Sequence, residues 1–134
     1  MYGHHVEIAG PFNEAVDKVL AALKVEGFGV LSDIDIQKAM KEKLGVDMPA
    51  YRILGACNPP LAHKALQADP QIGLLLPCNV TVQETAGGIS VGFLDPQVMV
   101  QLTGNPQVKQ VADDAAERLD RVRQALSTPL LAGR

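Results

Sequence analysis

Leu74-Leu75-Leu76-Pro77-Cys78-Asn79-Val80-Thr81-Val82-Gln83-Glu84-Thr85-Ala86-Gly87-Gly88-Ile89-Ser90-Val91-Gly92-Phe93-Leu94 is the stretch from which the fold can be read. Two runs rich in β-branched and apolar residues, 74–84 and 89–94, flank Thr85-Ala86-Gly87-Gly88, a glycine-containing turn of the longer kind. Alternation on both sides of such a turn predicts an antiparallel hairpin. A hairpin speaks against a parallel, doubly wound sheet. So does the lack of a glycine-rich phosphate loop after the first strand.

Working toward the amino terminus, residues 51–57 read as another strand, and Pro59-Pro60 opens a short helix that runs to about residue 67. Asp69-Pro70 ends it, because a residue before proline is pushed out of helical geometry. Residues 28–36 read as a strand and 37–44 as a short helix closed by Gly45. Phe12, Ala15, Val16, Val19, Leu20 and Leu23 recur at helical spacing up to Gly27. Before them Tyr2, His4, Val6 and Ile8 share one side of a first strand.

Toward the carboxyl terminus, residues 96–102 predict a short helix, with Asp95-Pro96 as the turn into it. Asn105 is placed to cap a long helix with Pro106 in its first turn. Val108, Val111, Ala112, Ala115, Leu119, Val122 and Leu126 form its apolar stripe. Asp114–Arg118 and Glu117–Arg121 have the spacing of ion pairs on its outer face. Thr128-Pro129 stops the helix. The expectation is one α+β domain over residues 1–127, an antiparallel sheet with helices packed on one face, followed by a flexible tail, 128–134.

The whole-chain balance limits function. The 134 residues suit one domain, and 47% hydrophobic residues suffice for its core. Twelve basic and fifteen acidic side chains leave a charge of −3, and there is no Trp and no basic run, a poor composition for gripping phosphates and bases. No apolar run approaches the ~20 residues of a membrane span, and no basic-then-apolar leader opens the chain. The expected setting is therefore the cytoplasm, where two cysteines stay reduced.

Four blocks carry a family resemblance: Gly27-Phe28-Gly29-Val30-Leu31, Lys43-Leu44-Gly45-Val46, Tyr51-Arg52-Ile53-Leu54-Gly55-Ala56-Cys57-Asn58-Pro59-Pro60 and Gly73-Leu74-Leu75-Leu76-Pro77-Cys78-Asn79-Val80. The chain resembles the domain of unknown function family 302 from about residue 6 to residue 126. The resemblance implies a compact α+β domain of the TATA-binding-protein-like class, with an antiparallel sheet, and a homodimer. It brings no activity, so no catalytic residue comes with it. The chain departs from the family pattern at His4-His5, where a hydrophobic opening is more usual.

The repeated Cys-Asn dipeptide, Cys57-Asn58 and Cys78-Asn79, is the feature that could carry chemistry. By parity Cys57 goes with Tyr51, Ile53 and Gly55, and Cys78 with Leu76, Val80 and Val82. The expectation is that both thiols face the apolar side of the sheet. As buried free cysteines they are small hydrophobes. As a converging pair they could bind a soft metal or cycle to a disulfide. The separation along the chain is not the Cys-x-x-Cys spacing of zinc sites.

His63 lies four residues beyond Pro59 and could lean back toward Cys57, a minimal nucleophile–base pair; its bland alternative is an exposed helix residue. Pro59 and Pro60 remove two N–H donors from that helix start, which leaves Asn58 to cap Leu61 and no phosphate cradle. Arg52, opposite in parity to Cys57, suits a pair with Asp33 or Asp35. Met40, Met48 and Met99 read as gap-fillers.

Three functions follow as expectations. The first is a dimeric protein binding a small ligand or soft metal at Cys57, Asn58, Cys78, Asn79 and His63, with Cys57 and Cys78 as the metal donors. The second is a thiol-dependent enzyme using Cys57. The third is a structural dimeric module with no small-molecule site.

Overall fold

Thr85 pairs with Gly88, so the hairpin of β4 (Cys78–Thr85) and β5 (Gly88–Leu94) turns on Ala86-Gly87 alone. The turn is tighter than its composition suggested. Gly88 has φ +138°, a conformation that side-chain-bearing residues rarely adopt. The structure, a computed structural model, describes residues 2–127, and the expected tail 128–134 lies outside the described residues.

Three more strands flank this hairpin: β1 (Gly3–Ile8), β2 (Gly29–Asp35) and β3 (Tyr51–Cys57). They join in the order β1-β5-β4-β3-β2, every neighbour antiparallel. The chain thus forms an α+β fold with a five-stranded antiparallel sheet. The helices are α1 (Phe12–Val25), α2 (Ile36–Leu44), α3 (Pro59–Ala68), α4 (Gln97–Thr103) and α5 (Pro106–Leu126).

Strand alternation sorts the apolar residues onto one side. Leu54 and Ala56 of β3, Val80 and Val82 of β4, and Ile89, Val91 and Phe93 of β5 are buried. They meet Ala15, Val16, Val19 and Leu23 of α1 and Leu119 and Val122 of α5 in one core. Burying a side chain such as Leu23 or Leu54 stabilises the fold by about 1.5–3 kcal/mol. A second, smaller core joins Leu61 and Ala65 of α3, Ile72, Cys78, Met99 of α4, and Val108, Val111 and Ala115 of α5.

Several local expectations need correction. Residues 74–75 are not strand: Pro70–Leu75 form a 3-10 helix, and β4 begins only at Cys78. Asp69 causes this, its carboxylate accepting from the Gln71 N–H at 3.0 Å while its carbonyl accepts from Ile72. Ile72 is thereby buried and Leu74 left 84% exposed. Ile36 starts α2 rather than ending β2, because Asp35 caps the Lys38 N–H at 2.9 Å. Arg118 pairs with Asp114 as the spacing predicted, but Arg121 reaches Glu26 at 2.9 Å instead of Glu117.

Arg52 does pair with Asp33, Nε lying 2.8 Å from Oδ1 and a second nitrogen on Oδ2. That contact holds β3 to β2, and the Asp33 carboxylate raises the Arg52 pKa above its ordinary value. Among the described residues no helix is long and apolar enough to cross a membrane.

Candidate functional site

Where β3 ends and β4 begins, the sheet runs out over the smaller core and leaves a cavity of about 250 Å³. Its walls come from five parts of the chain: Phe28 and Leu31, the end of β3, α3, the 3-10 helix with Pro77 and Cys78, and Met99 with Val111 and Ala115. The void has a compositional cause. Ala62 and Ala65 on α3 and Ala115 on α5 line it, where larger side chains would have filled it.

Cys57 and Cys78 both line this cavity, so residues separated by 20 others in the chain are gathered at one place. They do not arrive from one row. Ala56 is the register partner of Cys78, and Leu54 that of Val80, so Cys78 belongs to the helix-covered side. Cys57 alternates with Tyr51, Ile53 and Gly55, whose partners Gln83, Thr81 and Asn79 belong to the uncovered side. The shared-face expectation is therefore wrong for Cys57. Its parity with apolar Ile53 misled, because Leu54 and Ala56 are the core-facing residues. Cys57 meets the cavity as the last residue of β3, where the chain turns into α3.

Both cysteines are free, Cys57 half-buried and Cys78 buried. Burial pushes the Cys78 thiol up to about 11, and the Cys57 charge adds in the same direction. Cys78 is thus a neutral thiol in an apolar wall at ordinary pH. Gly55 lets the wall close: a Cβ there would meet Ser32 and would lie 2.7 Å from the Pro77 ring.

The two asparagines separate. Asn58 is buried, its Oδ1 accepting from the Leu61 N–H and its Nδ2 donating to the Glu26 carbonyl, both at 3.4 Å. It caps α3, as the double proline predicted, and ties that helix to the end of α1. Asn79 is exposed and lines a different hollow on the uncovered side of the sheet, beside Tyr51, Thr81 and Gln83. His63 is exposed on α3 and outside the cavity lining, so it is not brought to Cys57.

Among the described residues no three His, Cys, Asp or Glu side chains converge as a metal site. Three other hollows among the described residues are more polar. The one beside His4 and Asp95 is lined by polar side chains that contact one another, His4 with Asp95 at 3.6 Å and Arg123 with Asp120, and by Glu117.

The family model described as "Domain of unknown function DUF302" matches residues 4–126. The chain belongs to this family. A solved structure similar to it is that of an uncharacterized conserved DUF302 protein from Bacillus stearothermophilus. The two are 30% identical, with 94% of this chain and 98% of that one covered and a TM-score of 0.86. No curated protein matches the chain. The DUF302 blocks at residues 27–31, 51–60 and 73–80 contribute nine of the cavity's lining residues, from Phe28 and Leu31 to Pro77 and Cys78. Sequence reading missed Ala62, Ala65, Met99 and Ala115. The alanines carried a faint signal, small residues in otherwise bulky helical stripes.

Proposed function

We propose that the protein is a non-catalytic binder of a small apolar molecule, held in the cavity beneath Cys57 and Cys78. One observation carries the reading: the walls are almost wholly apolar and include no charged side chain. Small-molecule sites are concave and mostly apolar. The buried Asn58 amide is already engaged through both its atoms. The sulfurs and the Phe28 ring are then the polarisable groups in the lining that could meet a ligand.

The test is saturable binding of N-phenyl-1-naphthylamine, followed by its fluorescence. One site per chain is expected, abolished by Ala65→Leu and weakened when Cys57 is blocked with a bulky maleimide. Non-saturable binding, or binding indifferent to both changes, would refute the proposal.

The soft-metal form of the reading has two thiols and the Met99 thioether in the lining, and among the described residues no His, Asp or Glu joins them, which suits an organic guest better. The thiol-enzyme reading wants a base near Cys57, and the cavity lining offers none. The proposal includes a homodimer formed across the uncovered side of the sheet, where Ile34 is exposed and Tyr51 and Ile53 are half-buried. Light scattering on the native protein and on Ile34→Glu checks it: a dimer is expected, loosened by the charge. Two free thiols accord with the cytoplasmic setting that completes the proposal.

A further inference from the structure

Three sulfur atoms belong to residues lining this apolar cavity: Cys57, Cys78 and Met99. They come from β3, β4 and α4, and Phe28 is the only aromatic residue among the lining. Sulfur interacts favourably with aromatic rings, often at the ring edge, and thioethers and neutral thiols are polarisable. A saturated hydrocarbon offers such walls no ring edge. The walls therefore discriminate by chemistry as well as by size.

Volume narrows the class. An apolar cavity of about 150 Å³ holds one benzene ring. The present cavity, at about 250 Å³, is larger by roughly one further fused ring. Hydrogen bonding narrows it again. No buried polar side-chain atom among the described residues lacks a partner. Asn58, the buried amide of the lining, spends its oxygen on Leu61 and its NH₂ on Glu26. A ligand N–H or carboxylate buried here would lose water and meet only weakly hydrogen-bonding thiols and the one spare N–H and lone pair of Asn58, which is costly.

We infer that the ligand is a neutral, fused two-ring aromatic molecule, or a group of that kind, without a hydrogen-bond donor or charge on its buried part. Leu31, 72% exposed, and Leu66, 41% exposed, are the lining residues that reach solvent and mark its way in. Met99 sets the aromatic preference, and Ala62 and Ala65 set the ring count. This inference rests on the apolar-ligand reading above.

The test displaces N-phenyl-1-naphthylamine from the native protein with naphthalene, cyclooctane, indole and 1-naphthoate, each affinity normalised by the ligand's water-to-hydrocarbon partition. Naphthalene is expected to exceed cyclooctane by about fivefold, the size of effect that sulfur–ring contacts support. It should exceed indole, and 1-naphthoate should be weaker by at least about tenfold. Met99→Leu keeps the volume and removes a sulfur, so it should shrink the naphthalene preference while leaving cyclooctane unchanged. Ala62→Leu, at a half-buried position that tolerates bulk, should exclude naphthalene and keep the fold, as seen by circular dichroism.

Equal normalised binding of naphthalene and cyclooctane, or tight binding of 1-naphthoate, overturns the aromatic assignment and leaves the apolar-ligand reading standing. Failure of the dye and all four ligands to bind overturns both.

Discussion

Cys78 stands directly opposite Ala56 in the register of β4 and β3, one step from Cys57 along the neighbouring strand. That step changes everything about the pair. Adjacent residues on a strand point to opposite sides of the sheet, so the two thiols meet one cavity from different rows. Their environments differ accordingly, one half-buried and one buried.

Thiol labelling should therefore be strongly biphasic. At pH 8, iodoacetamide is expected to modify Cys57 first, with Cys78 shielded by burial and held protonated. Peptide mass spectrometry after partial labelling identifies the fast site. Equal rates at the two positions would contradict the assignment.

A disulfide between them is also disfavoured, since a bridge requires Cβ atoms about 3.5–4.5 Å apart with converging directions. Treatment with diamide should leave two titratable thiols per monomer in the folded state. Recovery of an intramolecular Cys57–Cys78 bridge would return the redox reading to contention.

The raised Cys78 pKa gives stability a signature at high pH. The folded state keeps this proton up to about 11, whereas the unfolded chain releases it near its ordinary value of 9.0. Above the unfolded value the folded state binds more protons, so stability falls as pH rises through this window. The loss is on the order of 2–3 kcal/mol by pH 11. Urea unfolding between pH 8 and 11 should show that slope for the native protein, less its counterpart in Cys78→Ala. Parallel curves for the two would refute it.

The twin Asn residues should behave as strangers. Asn58→Ala removes the cap on α3 and one of the two donors to the Glu26 carbonyl, which keeps Arg118 at 3.0 Å, costing about 1–2 kcal/mol. Asn79→Ala alters an exposed position and should stay within about 0.5 kcal/mol. Thermal or urea denaturation of both variants makes the comparison; similar losses would mean that the motif works as a unit.

Arg52 and Asp33 form a two-pronged contact that is a quarter to a third exposed on each side. Solvent limits its worth, and a double-mutant cycle with Arg52→Ala and Asp33→Ala should give a coupling of about 0.5–1 kcal/mol. The coupling should shrink in 1 M salt.

Local chemistry was well written into the chain. Asn105 and Pro106 started α5 where capping rules placed it, and Asn58 capped α3 behind two prolines. Gly45 closed α2 with a left-handed residue, and the tight-turn residues near Gly88 made the hairpin that chose an antiparallel sheet. These are decisions taken within a few bonds, by dihedral preferences and short-range hydrogen bonds, and a sequence displays them directly.

The cavity was not legible in that way. Its alanines sit on α3 and α5, its sulfurs on β3, β4 and α4, and each reads locally as ordinary filling. The side of the sheet on which Cys57 falls depended on which of two interleaved apolar rows, Leu54 and Ala56 or Tyr51 and Ile53, the helices would cover. Both rows are apolar enough to serve. The amino-acid order determined the elements, their ends and the antiparallel pairing, because those follow from neighbours along the chain. Only the tertiary structure decided which small residues face one another across a gap, since a void is a property of surfaces that meet and no single segment contains it.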